Sequence, residues 1–299
     1  MKKKLIISSL IGLVSVVAIG GLMSNVNSKA ENQSNKKNSY TEHSLSQADS
    51  HGSHGTSDRH NGAEIQPNVQ AKLTVAQPIE LNKPIKLVID IQDKTGKGIS
   101  KFEAFQEKLM HLIVVSEDLE FFNHIHPEYK ENGRFEVTTQ FPESGKYALF
   151  TDYKPAGEKE QVSVLKTEVP GNKISLSKVD YNRNQIFGNT RANLSVSEPS
   201  LTAGKPVTLV FNLKDAATNQ PVKDLQPYLG ERGHLVIVKQ SSPLTKADYI
   251  HAHAHTMPNI APGEVHFMTK FPEAGKYKLW GQFNRNGKIV TTDFWVNVN

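Results

Sequence analysis

The sequence predicts an all-β protein: two tandem immunoglobulin-like β-sandwich domains after a signal peptide and a disordered histidine-containing tail. Three observations predict it: a sequence that repeats, short strand patterns throughout each copy, and one turn that occurs twice. The period is about 120–130 residues. AKLTVAQPIELNKPIKLVIDIQD from Ala71 answers ANLSVSEPSLTAGKPVTLVFNLKD from Ala192. KLMHLIVV (Lys108–Val115) answers ERGHLVIV (Glu231–Val238), and GRFEVTTQFPESGKYALF (Gly133–Phe150) answers GEVHFMTKFPEAGKYKLW (Gly263–Trp280). Three matched blocks in the same order mark the duplication of a whole domain, not a solenoid of small units.

The elements follow in chain order. Residues 1–30 read as a signal peptide, with Lys2, Lys3 and Lys4 ahead of an apolar stretch to about Met23 and Ser28-Lys29-Ala30 as the cleavage pattern. An uncleaved anchor is the alternative, since about 20 apolar residues can span a bilayer. Residues 31–67 hold almost no apolar side chains, so they cannot offset their ordering entropy and read as a flexible tail. Repeat 1 covers residues 68–170, a linker 171–190 and repeat 2 residues 191–299. In repeat 1 the strand patterns are Ala71–Val75, Lys86–Asp90, Leu109–Val115, Arg134–Phe141, Lys146–Asp152 and Gln161–Glu168, with a further strand near Glu120–His126. About seven strands in roughly 100 residues suit an immunoglobulin-like sandwich. Pro-Glu-x-Gly-Lys-Tyr occurs at Pro142–Tyr147 and Pro272–Tyr277. A tyrosine opening a strand after such a turn is similar to the tyrosine corner, in which the phenol donates back to the turn backbone. A closed barrel is the competing architecture.

Composition narrows the function. Of the 35 basic residues four lie in residues 1–30, which leaves 31 against 30 acids. A chain so balanced carries no electrostatic footprint for nucleic acid or anionic lipid. It has no cysteine, so there is no disulfide, no lipid-anchoring cysteine, no thiolate zinc site and no blue-copper site. Any metal must be held by imidazole, carboxylate, thioether or water.

Imidazole is abundant and patterned. His43, His51, His54 and His60 sit in the tail, where spaced histidines can capture metal weakly. The eight others lie in the repeats. His111 stands in LMHLIVV, with His124-Ile125-His126 downstream; His234 stands in GHLVIV, with His251-Ala252-His253-Ala254-His255 downstream. Residues i and i+2 of a strand face the same way, with Cα atoms about 6.6 Å apart. Two such imidazoles and a third from a neighbouring strand can share one ion, at about 2.0–2.1 Å for zinc. The predicted ligands are His111, His124 and His126 in repeat 1 and His234, His251 and His253 in repeat 2, with His255 as a fourth ligand or entry point. Copper is the first expectation and zinc the second, because imidazole sites suit both and affinity peaks at copper. Met110, Met257 and Met268 are possible thioethers, though a methionine in a β core is mostly filler. Glu128 reads as a ligand or a surface charge, and His266 as peripheral. Phe121 and Phe122 read as core or lid.

The stretch MHLIVVSEDLEFFNHIHPE (Met110–Glu128) resembles exported bacterial β-sandwich proteins of the YtkA-like and copper-resistance type, in which a strand Met-His is followed by an acidic turn and His-x-His-Pro. The resemblance implies an immunoglobulin-like fold and a role in handling copper or other heavy metals. Repeat 2 departs from it, with Gly233 before His234, a longer loop through Ser241–Tyr249, and Ala254 in place of proline.

The expected function is sequestration or delivery of a metal ion outside the cytoplasm, without catalysis. The expected partners are metal ions and a membrane metal transporter or another metal-binding protein. The alternative is a tandem scaffold or adhesive protein with incidental histidines, since fold does not imply function. Little recommends an enzyme. The chain has no Gly-x-Ser-x-Gly elbow, Walker loop or His-Glu-x-x-His helix. The cupin-like interval from His124-x-His126 to Glu131 lacks its upstream glycine, and a dismutase would need a disulfide.

Overall fold

The computed structural model describes residues 69–171, 178–254 and 259–299. The expected signal peptide and tail, with His43, His51, His54 and His60, lie outside the described residues, as do His255 and Met257. The chain divides into two compact units, and both repeats belong to the second, His51–Asn299.

Repeat 1 is built from β1 (Val69–Val75), β2 (Ile85–Asp93), β3 (Met110–Ser116), β4 (Phe122–Ile125), β5 (Glu128–Tyr129), β6 (Arg134–Thr139), β7 (Gly145–Tyr153) and β8 (Gln161–Val169). One sheet has the order β1-β2-β6-β5 and the other β4-β3-β7-β8, the two-sheet order of an immunoglobulin-like sandwich. All seven strands expected from the pattern are present, and β5 is a two-residue addition. Leu87, Ile89 and Ile91 from β2 meet Leu112, Val114 and Leu149 in the core.

Repeat 2 contains β9 (Asn184–Phe187), β10 (Thr190–Val196), β11 (Pro206–Asp215), β12 (Leu225–Gln226), β13 (His234–Lys239), β14 (Tyr249–His253), β15 (Glu264–Lys270), β16 (Gly275–Arg285) and β17 (Lys288–Val298). Its sheets are β15-β11-β10-β9 and β12-β16-β13-β14, with β17 on β16. The stretch 171–190 is therefore not all linker, because β9 pairs with β10 in a hairpin across Gly188. The longer loop of repeat 2 contains a 3₁₀ turn, Lys246–Asp248, in which the Asp248 carboxylate accepts from the backbone and hydroxyl of Thr245. Both tyrosine corners form: the Tyr147 hydroxyl donates to the Glu143 carbonyl and that of Tyr277 to the Glu273 carbonyl, each at 2.8 Å.

The sandwiches pack on one another through the outward faces of the β3 and β13 sheets. Ile113, Val115, Leu119, Ala148 and Phe150 meet Val236, Val238, Leu244, Tyr249 and Trp280 in an apolar cluster of their own. The contact is reciprocal. Phe122 on β4 stacks on Trp280 of β16 at 4.8 Å, and Tyr249 on β14 stacks on Phe150 of β7 at 4.6 Å. These are equivalent positions in the two copies, so the interface has the self-complementary logic of a two-fold dimer inside one chain.

Candidate metal centre

The two histidine triads form in the same interface, one layer from the stacked aromatics. In β3, side chains alternate between the repeat 1 core (Met110, Leu112, Val114) and the interface, where His111 is followed by Ile113 and Val115. β4 pairs antiparallel with β3, with Ile113 opposite His124. Two further steps of that register, one past the last pair Leu112–Ile125, set His126 across from His111. In repeat 2 the pairing is explicit: His234 faces His253, and Val236 faces His251.

The hairpin geometry expected from the sequence therefore brings His111, His124 and His126 together, with one ring nitrogen of each within 4.8 Å of the others, and does the same for His234, His251 and His253. What the sequence did not reveal is that the triads touch. Ring centroids of His111 and His251 are 5.5 Å apart and those of His124 and His251 5.7 Å, against 5.3 Å for His111 and His124 within one triad. The six imidazoles make one cluster.

The outer ring nitrogens are held by protein groups. His111 Nε2 donates to the Phe105 carbonyl at 3.2 Å and His234 Nε2 to the Tyr228 carbonyl at 3.0 Å, each carbonyl belonging to a tight turn before the strand. His124 Nδ1 donates to Gln282 Oε1 at 2.7 Å, and the same amide donates through Nε2 to Thr291. His251 Nδ1 lies 3.2 Å from Asp152 Oδ2. Asp152 stands beside His111 in the β3–β7 register, and Gln282 beside His234 in the β13–β16 register. They are the same position in the two copies, and each reaches a histidine of the other repeat.

The inner nitrogens of the first triad have a defined state. Carbonyl and amide oxygens only accept, so His111 carries its proton on Nε2 and His124 on Nδ1. That leaves His111 Nδ1 and His124 Nε2 facing each other as bare lone pairs at 3.0 Å. His234 Nδ1 and His251 Nε2 are 3.4 Å apart. Two ligands on one tetrahedral ion with bonds of 2.0–2.1 Å lie about 3.3 Å from each other. His126 adds a buried Nε2 with no hydrogen-bond partner. Gln106, at the tip of the Phe105–Lys108 turn, brings its amide nitrogen to His253 Nδ1 at 2.8 Å and also against Nε2.

Burial keeps the rings neutral. It pushes His124 down to about 4 and His126 and His234 to about 3. Burial and the His124 ring push His111 to about 2, and burial holds His251 well below the usual imidazole range. Burial likewise pushes the Asp152 carboxyl well above the usual carboxylate range, favouring its neutral form. Neutral imidazole is the form that binds a metal.

The remaining predicted residues stand apart. Met110 faces the repeat 1 core and Met268 is exposed, so neither supplies a thioether to this cluster. Glu128 is a surface charge paired with Lys130 at 2.7 Å. His266 pairs with Glu264 on β15, outside both triads. Phe121 packs on the corner Tyr147, and Phe122 is an interface residue, not a lid. Among the described residues no helix is long and apolar enough to cross a membrane.

Comparison with known proteins adds the family. A family model described as a domain of unknown function, DUF8832, matches twice, over residues 64–170 and 186–299. The chain belongs to the DUF8832 family. No curated protein matches it. Solved structures similar to this DUF8832 protein include the adhesin FdeC of Escherichia coli, at 17% identity and TM-score 0.26, with 78% of this chain and 65% of that one covered. The adhesin InvE of Yersinia pseudotuberculosis follows at 12% identity and TM-score 0.24, covering 77% and 60%. The fibronectin(III)-like modules of Clostridium thermocellum CbhA match at 8% and 0.20, covering 76% and 95%. The chain thus spans less than two thirds of each adhesin structure.

Proposed function

We propose that this protein is an exported, non-enzymatic binder of transition-metal ions, copper first and zinc second, with one imidazole triad per repeat. The observation that carries the reading is the pair of bare nitrogens on His111 and His124, 3.0 Å apart with both outer nitrogens committed to oxygen acceptors. Facing lone pairs repel, and a shared cation is what removes the repulsion. The donor set is imidazole alone, which suits copper and zinc and excludes the thiolate and all-oxygen classes of site. The resemblance of Met110–Glu128 to copper-resistance proteins points the same way. Sequestration, or delivery to a membrane transporter or another metal-binding protein, is the use we assign to such a pair of sites.

The second reading is a scaffold or adhesive protein in which the histidines merely fill the interface. The adhesive roles in the names of FdeC and InvE belong to those proteins. What favours a structural role here is the reciprocal packing of the two sandwiches. Metal analysis of the purified full chain separates the two. Wild type should retain about two Cu or Zn ions, and the His111→Ala/His124→Ala/His126→Ala variant one fewer. A wild type holding no Cu, Zn or Ni above background would leave only the scaffold.

A further inference from the structure

Resting on that reading, we propose that the two triads form a single centre assembled across the repeat interface, in which each repeat supplies the group that orients the other's ligand. Asp152 of repeat 1 is the positioning residue for the repeat 2 site, and Gln282 of repeat 2 is the positioning residue for the repeat 1 site. The crossing is direct. His251 Nδ1 meets Asp152 Oδ2 at 3.2 Å, and His124 Nδ1 meets Gln282 Oε1 at 2.7 Å. Asp152, Gln282, His124 and His251 are all buried. A metal-bound imidazole depends on such an outer partner to fix its tautomer and raise its basicity. His111 and His234 find theirs in their own repeats, but His124 and His251 take theirs from the other.

Two consequences follow from the chemistry of the two partners. The sites have the same kind of ligands but different outer partners: behind His251 stands a carboxyl that can give up its proton when a cation binds, and behind His124 a neutral amide. A carboxylate on the far nitrogen strengthens the imidazole as a donor more than an amide does. Occupancy of either site also ties β4 or β14 to the opposite sheet, so metal stabilises the contact between the repeats as well as each hairpin.

The test uses full-length chain titrated with Cu(II) and, separately, Zn(II) against a competing chelator. In a background with His111→Ala and His126→Ala, which leaves the repeat 2 triad, Asp152→Asn should weaken binding by about 10–100-fold and Asp152→Glu should restore part of it. In a background with His234→Ala and His253→Ala, which leaves the repeat 1 triad, Gln282→Glu should tighten binding by about tenfold. A gain in affinity is a change that a merely structural role for Gln282 would not produce, and it stands even if Asp152→Asn does not fold. Wild-type metal binding unaffected by either residue, or Asp152→Asn weakening only the repeat 1 site on its own sheet, would overturn the shared centre while leaving two separate sites. Failure of wild type to bind either ion would overturn both proposals.

Discussion

The two triads descend from one ancestral hairpin and differ in what holds them. In repeat 1 both outer nitrogens meet obligate acceptors, the Phe105 carbonyl and the Gln282 amide oxygen, so the inner nitrogens of His111 and His124 are bare. The third ring, His126, has a buried nitrogen that nothing engages. In repeat 2 the outer nitrogen of His251 meets a carboxyl that burial favours as neutral. That carboxyl can donate its own proton to His251 Nδ1, letting Nε2–H point at His234 and quench the repulsion in the metal-free state. The third ring, His253, is engaged by Gln106, whose counterpart in repeat 2 is the apolar Leu229. The first site is thus open and strained, and the second is latched. Duplication kept the ligands, and divergence at a few surrounding positions changed their resting state.

The largest test of this contrast is acid stability of the metal-free protein. An imidazole whose folded pKa lies near 3 instead of 6.5 binds its proton only when unfolded, so stability falls by about 1.4 kcal/mol per pH unit for each such ring as pH drops below about 6.5. His111, His124, His126 and His234 all act in this direction. Because all four act the same way, the stability of the metal-free protein should fall steeply as pH drops below about 6.5. Asp152 works oppositely: its folded pKa is raised, so its stabilising contribution is present in acid and lost as pH rises. Asp152 and His251 therefore oppose one another in acid, the folded carboxyl favouring its proton and the folded imidazole losing its own, so that their contributions tend to cancel. Asp152→Asn removes the cancellation and should steepen the acid limb by about 1.4 kcal/mol per pH unit. Denaturant titrations at half-unit pH steps check this. An unchanged slope would mean that the second triad is not latched by a carboxyl proton.

Next in size is the layer that the two repeats share equally. Trp280 on Phe122 and Phe150 on Tyr249 are stacked at nearly the same separation, with interplanar angles of 13° and 11°. Trp280→Ala and Phe150→Ala should therefore cost similar amounts, about 3–5 kcal/mol each in urea unfolding. A loss below about 1 kcal/mol from either would mean that the sandwiches do not depend on this contact, and that the six-histidine cluster has no rigid floor.

The sequence carried the ligands more clearly than their surroundings. The His-x-His spacing and the strand histidine are local, and period-two geometry puts them on one face without knowledge of anything distant. The tyrosine corners are local too. The interface was not legible because it depends on which of two outward faces meet, although a sign was present: Leu112–Val115 is apolar at every position. An unbroken apolar run marks a strand covered on both sides, whereas a sandwich strand with one solvent face alternates. Asp152 and Gln282 escaped for a related reason. Each is a polar residue in the second half of a largely buried strand, five residues after the corner tyrosine. Alignment of the two copies makes them the same buried-polar position, and that signal could have found them before their partners across the interface were known.

The smallest expected effect bears on the latch itself. Gln106 holds its place at the turn tip with φ of 49°, in the left-handed region, and its amide nitrogen donates to the His253 ring. A donor on that ring must be displaced before the nitrogen can bind an ion, so the hydrogen bond competes with metal. Gln106→Leu copies the repeat 2 residue Leu229 into repeat 1. It should reduce stability by about 1 kcal/mol, the net worth of one hydrogen bond, and tighten the repeat 2 triad for Zn(II) by about fivefold, the same energy expressed as affinity. Zinc titration of the full chain with His111→Ala and His126→Ala isolates that site. A weaker site in place of a tighter one would mean that Gln106 orients His253 for the ion and does not withhold it, and the two triads would then differ chiefly in the carboxyl or amide behind their second ligand.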